Sequence, residues 1–146
     1  MNLEQLFDLA PHGPDVFVGE GHEYPWGGLF GGHIVAQALR AAAYTVSDEL
    51  LPHSLRAYFI RRGDNTQPVR YEVDRIRDGK SFTTRRVVAR QQDGAILNLE
   101  ASFQVHEDSL NEQLVHPHPG LPTPETIEES SWSTFLERRT IPSAAL

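Results

Sequence analysis

Among its 146 residues the sequence has no cysteine. That absence excludes a disulfide framework, a thiolate nucleophile and a thiolate metal site, and is compatible with a reducing compartment. Also missing is any run approaching the roughly 18 to 20 uncharged apolar residues of a membrane span, and the opening MNLEQLFDLAPHG lacks the basic-then-apolar order of a signal peptide. A soluble, untargeted cytoplasmic protein with no membrane span is therefore expected. No phosphate-binding loop or dinucleotide-binding glycine fingerprint occurs, and no internal repeat. At this length one domain with a sizeable core is the simplest organisation.

Positive charge is scarce overall, with 13 Lys and Arg against 20 Asp and Glu. It is also unevenly placed. Between His53 and Gln92 stand ten basic residues and four acidic ones, so this stretch carries +6 and the remainder −13. A nucleic-acid binder would more often be basic throughout, which argues against that partner; a locally basic sheet could instead meet a phosphorylated ligand or simply be a solvated face.

Asn2 can cap a short helix whose Leu3, Leu6 and Phe7 share a face, ended by PHGP at 11–14. DVFVGEGHEY at 15–24 reads as a first strand, with Gly19 and Gly21 marking a bulge. After the glycine pairs of WGGLFGGH comes a helix from about Gly32 to Val46, apolar nearly all round and hence buried. From Pro52 the period changes to two, and four strands follow as a meander. The clearest is the last, with Ala95, Leu97, Leu99, Ala101, Phe103 and Val105 on one face and Asn98, Glu100, Ser102 and Gln104 on the other. Asp93 and Gly94 mark the hairpin before it. Residues 107–124 are polar and proline-rich, a linker. Thr123 and Pro124 then read as the start of a further helix with Trp132, Phe135 and Leu136 on one side.

An antiparallel sheet with one apolar face must bury it, and the long apolar helix is the element available. The expected architecture is α+β, a hot-dog fold with the sheet wrapped around one long central helix. The helix start offers unpaired amides at the positive end of the dipole, and Gly31 and Gly32 let a ligand carbonyl approach them. A thioester passing through an oxyanion would gain about 2.7 to 4 kcal/mol from one well-placed donor. The alternative is that the glycines only permit a tight strand-to-helix turn and that His33 is structural. RGD at 62–64 and the histidines, including HPH at 116–118, match neither an adhesion context nor a metal-ligand spacing. Asp74 with Asp78, or with Glu72, reads as salt-bridged surface groups among arginines.

FGGHIVAQALRAAAYTV, PHSLRAYFIRRGD, YEVDRIRDGKSFTTRRVVARQQDG and LNLEASFQ, in this order, resemble the first half of the type II acyl-CoA thioesterases, the double hot-dog thioester hydrolases. The resemblance implies hydrolysis of fatty acyl-CoA to the free acid and CoA without a metal or other cofactor. It implies a hot-dog domain over residues 1–107, and a linker and helix over 108–146 that lead toward a second hot-dog domain outside this chain. The partner is then that second half or, in a homodimer, a second copy. The catalytic Asp, Ser or Thr, and Gln of such enzymes belong to the second half, so no catalytic residue is carried over here. Substrate-binding roles are carried over to Gly31, Gly32, His33, Arg61, Arg62, Ser81 and Phe82. The residues themselves agree: no Asp or Glu lies between Gly32 and Val46, and Gln37 cannot act as a base at neutral pH. A non-catalytic acyl-CoA-binding or assembly module and a hot-dog enoyl-CoA hydratase are the competing readings.

Overall fold

The computed structural model describes residues 3–116, 120–132 and 136–143. The chain divides into two compact units, 1–106 and 107–146. In the first, helix α1 (Leu3–Leu6) is followed by strands β1 (Ala10–Pro11) and β2 (Val16–Gly19), then helix α2 (Gly31–Ala43). Four long strands complete it: β3 (Leu50–Phe59), β4 (Val69–Asp78), β5 (Phe82–Gln91) and β6 (Gly94–Val105). All pairings are antiparallel, in the order β1-β2-β4-β5-β6-β3. Asn2, read as the cap of α1, lies outside the described residues.

Period-two alternation fixes which face is covered. Leu97, Leu99, Ala101 and Phe103 of β6, Val87 and Ala89 of β5, and Val69 and Tyr71 of β4 are all at most 2% exposed. Each large apolar side chain removed from water in this way contributes about 1.5–3 kcal/mol before its ordering cost. Against this face packs α2, whose Ala38, Ala41 and Ala42 are fully buried. Small residues at these positions let the helix backbone come close to the sheet.

Several expectations need correction. The strands from Pro52 do not form one meander: β4, β5 and β6 do, but β3 crosses to pair with β6 at the far edge. The first strand stops at Gly19, where an added Cβ would lie 2.5 Å from the Gln37 side-chain oxygen. Gly21 is no bulge but packs on the Asn65 backbone. Helix α2 ends at Ala43 rather than Val46. Its last turn tightens, with Thr45 and Val46 amides bonding the carbonyls three residues back. Arg85 draws Thr45 off the helical path by donating to its hydroxyl at 2.7 Å and its carbonyl at 3.0 Å.

Among the described residues of the second unit, the anticipated helix is reduced to a 3-10 turn, Pro124–Thr126, after which Ile127 is already extended. Ser130 and Ser131 are then held by Arg138 rather than by helical bonds. The Ser130 amide donates to the Arg138 carbonyl at 2.7 Å, and the Arg138 amide donates to the Ser131 hydroxyl at 2.8 Å. An isolated antiparallel bridge joins Glu129 to Arg139. Serine groups that bond nearby backbone compete with helix formation. Trp132 and Leu136 are themselves non-helical, and Phe135 lies outside the described residues.

Candidate active-site groove

The segment 20–30 leaves the sheet and folds over the start of α2. Tyr24 stacks on Trp26 with ring centroids 5.2 Å apart and planes 5° from parallel, and Phe30 tilts against both. The loop following β3 interlocks with it: the Leu29 amide donates to the Gly63 carbonyl at 3.0 Å, and Arg62 donates to the Trp26 carbonyl at 2.5 Å. The Arg62 side chain lies over Gly28, where a Cβ would sit 2.5 Å from its Nε and push the guanidinium aside.

Between these loops and α2 opens a groove of about 350 Å³, lined by Gly31, Ile34, Phe59, Ile60, Arg61 and Arg62 among others. Three of the seven expected binding residues thus meet at one place. The N-cap residue of α2, Phe30, supplies no side-chain bond to the helix-start amides. Arg61 donates to the Ala95 carbonyl at 2.9 Å, and neither Arg61 nor Arg62 contacts a carboxylate among the described residues. Most other arginines of the basic stretch are ion-paired: Arg70 and Arg90 share Glu72, Arg75 meets Asp15, Arg85 meets Asp78 and Arg86 meets Asp74. The arginines beside Glu72 and Asp15 hold those carboxyls below their usual range.

Gly32 faces the Phe30 ring rather than the groove. His33 is 3% exposed beneath the aromatic segment and does not line the groove. The Tyr24 hydroxyl bonds its Nδ1 at 2.9 Å, while Nε2 is buried with no hydrogen-bond partner. Burial, aided by His22, pushes the imidazole down to about 4 and burial raises the Tyr24 hydroxyl to about 12, so at neutral pH the ring is uncharged and Tyr24 donates. Ser81 and Phe82 lie at the opposite end of the sheet. Phe59 pairs with Leu97 and Phe82 with Gln104, and seven residues of strand span roughly 24 Å. There Phe82 meets the His53 ring edge-on, and His53 Nε2 lies 2.8 Å from the Ser102 hydroxyl.

A second, more apolar groove of about 620 Å³ runs between α2 and the start of β3, lined by Ala36, Leu39, Ala43, Val46, Leu50 and Pro52 among others. The alternation of β3 marked Phe59 only as a strand residue, so its part in a groove wall was not legible. Gln37 is also accounted for: its oxygen accepts from Tyr71 and its nitrogen donates to the Leu6 and Glu20 carbonyls. Asp64 of the RGD sequence is occupied by Thr66 and Gln67. Among the described residues no group of three or more His, Asp or Glu is placed to hold a metal, and Pro117 and His118 of HPH lie outside them. No described helix is long and apolar enough to cross a membrane.

The model of the acyl-CoA thioesterase N-terminal domain family matches residues 22–104, which contain the whole lining of the groove at the start of α2. The chain belongs to this family. It is 43% identical over 122 residues to acyl-coenzyme A thioesterase 8 of Homo sapiens, covering 84% of this chain and 38% of that protein. The acyl-CoA thioesterase II TesB2 of Mycobacterium marinum superposes with a TM-score of 0.79 at 31% identity, covering 98% of this chain and 53% of that one. A hot-dog protein of Alicyclobacillus acidocaldarius, 21% identical, superposes at 0.76 over 88% of this chain and 48% of that one, which establishes the hot-dog fold. The chain spans about half the length, or less, of these relatives.

Proposed function

We propose that this chain is the N-terminal hot-dog half of an acyl-CoA thioesterase, its sheet wrapped around α2 as the central helix. The observation that carries the reading is the groove at the start of α2. It joins Gly31, a helix start without a side-chain cap, and Arg61 and Arg62 without carboxylate partners, inside the segment that matches the family. Here the thioester carbonyl approaches Gly31, and the free amides of the helix start stabilise the oxyanion formed when water attacks. Arg61 and, once released from Trp26, Arg62 suit the phosphates of CoA, since a guanidinium pairs with them bidentately. The apolar groove along α2 suits the acyl chain. Products are the free fatty acid and CoA.

The general base comes from a second half, toward which residues 108–146 lead. Helix α2 carries no carboxylate, and its one buried amide, Gln37, is committed to three structural bonds. That same observation favours a second reading, an acyl-CoA-binding module that acts only when paired. Cytoplasmic fatty-acid metabolism, with the chain joined to its second half or dimeric, fits either reading. Calorimetric titration with a non-hydrolysable acyl-CoA analogue tests the assignment. Binding that weakens at least about fivefold in Arg61→Ala supports it; absence of binding, or binding indifferent to Arg61, overturns it.

A further inference from the structure

Arg62 turns its guanidinium to a backbone carbonyl. Its Nη2 donates to the Trp26 carbonyl at 2.5 Å, and its side chain crosses buried Gly28. The turn it holds is pinned at both ends and free between them. Gly21 packs on the Asn65 backbone, and Leu29, 8% exposed, donates to the Gly63 carbonyl. Between these anchors the Gly27 amide donates to the Tyr24 carbonyl at 2.9 Å, with Gly27 at φ +70°, a conformation that glycine adopts without strain.

This turn reaches the helix start through two rings. Trp26 meets Phe30 edge-on with centroids 6.0 Å apart, and the Phe30 ring fills the space that a Cβ on Gly32 would take. The bond that keeps the turn in place is a poor match for its donor. A carbonyl is a neutral acceptor, whereas a phosphate offers charge and paired oxygens that suit the guanidinium fork, making each bond roughly twice as strong. A ligand shifts a conformational equilibrium only by preferring one of its states. A phosphate seated on Arg62 takes the state in which the Trp26 carbonyl has been released. Arg61 differs, since the Ala95 carbonyl it bonds belongs to β6 and its release frees no loop.

We propose that Arg62 is a specificity-determining residue that exchanges the Trp26 carbonyl for a ligand phosphate, so that a phosphorylated thioester releases the Trp26 turn, and with it Phe30 at the helix start. A thioester without phosphate leaves the turn latched. The inference rests on the acyl-CoA reading for the ligand, and on the contacts of Arg62 with Trp26 and Gly28 for the latch itself.

Acrylamide quenching of Trp26 tests it in the full chain carrying Trp132→Phe, which removes the other of its two tryptophans. Trp26 is 44% exposed, so its quenching should rise by up to about twofold with a non-hydrolysable acyl-CoA analogue and stay level with the matching acyl-pantetheine analogue. Arg62→Gln raises quenching without ligand and removes the further rise. Gly28→Ala does the same with the arginine still present, because its Cβ pushes the guanidinium off the carbonyl, and it guards against misfolding of the first variant. Arg61→Gln keeps the parent's unliganded value. Unchanged unliganded quenching in both latch variants, acyl-CoA analogue bound with Trp26 no more exposed, or an equal rise with the phosphate-free analogue would overturn the proposal. Failure of the acyl-CoA reading has a separate signature: calorimetry then shows neither analogue bound while both latch variants still expose Trp26, which supports the latch and overturns the exchange.

Discussion

The side-chain oxygen of Gln37, fully buried on α2, accepts the Tyr71 hydroxyl proton at 2.7 Å, while its nitrogen donates to the Leu6 carbonyl at the same distance. One side chain thus ties the helix to β4 and to α1. Gly19 adjoins the same oxygen closely enough that no Cβ fits.

Replacing Tyr71 by Phe removes one hydroxyl and leaves the Gln37 oxygen buried without that partner. The expected cost is about 1–3 kcal/mol, because an unsatisfied buried acceptor loses its hydration without recompense. Urea unfolding measures it. A midpoint equal to the parent chain's would show that the bond is not stabilising.

Arg85 is 1% exposed yet charged, and it donates to Thr45, Arg77, Thr84 and Asp78. Replacing it by Met strands the buried Thr45 acceptors and frees the end of α2, at a cost of at least about 2 kcal/mol. Asp78, largely exposed, contributes less. Asp78→Asn should cost under about 1 kcal/mol, since solvent screens the exposed partner. The reverse ranking in denaturant unfolding would contradict the anchoring role.

His33 makes stability depend on pH. Its folded pKa, about 4, lies below the ordinary 6.5, so between those values the unfolded chain holds more protons than the folded one. Stability is therefore greatest above pH 6.5, falls as pH drops toward 4, and levels off from this cause below it. The total is at most roughly 3 kcal/mol. His33→Asn, which keeps an acceptor for Tyr24, should flatten the dependence in that window. The lowered Asp15 and Glu72 carboxyls remove further stability, but only as pH falls through the acid range of carboxylates. An unchanged slope between pH 6.5 and 4.5 in the variant would rule His33 out as the cause.

Gly31 and Gly32 separate groove from scaffold. A Cβ at Gly31 would meet the Phe59 ring at 3.0 Å, and that ring is exposed and able to turn. Gly31→Ala should leave stability within about 0.5 kcal/mol while weakening binding of an acyl-CoA analogue. At Gly32 the Cβ would lie 2.6 Å from the Phe30 ring, within the aromatic segment. Gly32→Ala should cost about 1–3 kcal/mol through overpacking. Melting curves and titration of both variants decide the assignment.

Much of this fold is written in local pattern. The alternation from Ala95 to Val105 gives β6 and its buried face, the Asp93-Gly94 pair gives its hairpin, and the largely apolar run after Gly32 gives a buried helix. What escaped depends on distant partners. The crossing of β3 to β6 and the early end of α2 beside Arg85 involve contacts that no window of sequence contains, whereas the bonds of Ser130 and Ser131 to Arg138 are local but leave no periodic signal. The site divides likewise. Gly31, Arg61 and Arg62 converge on one groove, while His33 is held beneath the Tyr24–Trp26 stack and Ser81 and Phe82 fall at the other end of the sheet. The charge of the basic stretch was visible, but not that Arg70, Arg85, Arg86 and Arg90 pair with carboxylates of β4 while Arg61 and Arg62 do not.

The most direct test is a thiol-release assay of the purified 146-residue chain with medium-chain acyl-CoA at neutral pH. With oxyanion donors at the helix start and no base on α2, the chain alone should release CoA no faster than the uncatalysed reaction, even where titration shows the analogue bound. Turnover that scales with protein concentration and is lost in Gly31→Ala would contradict the account, since it would place a complete catalytic site within this half.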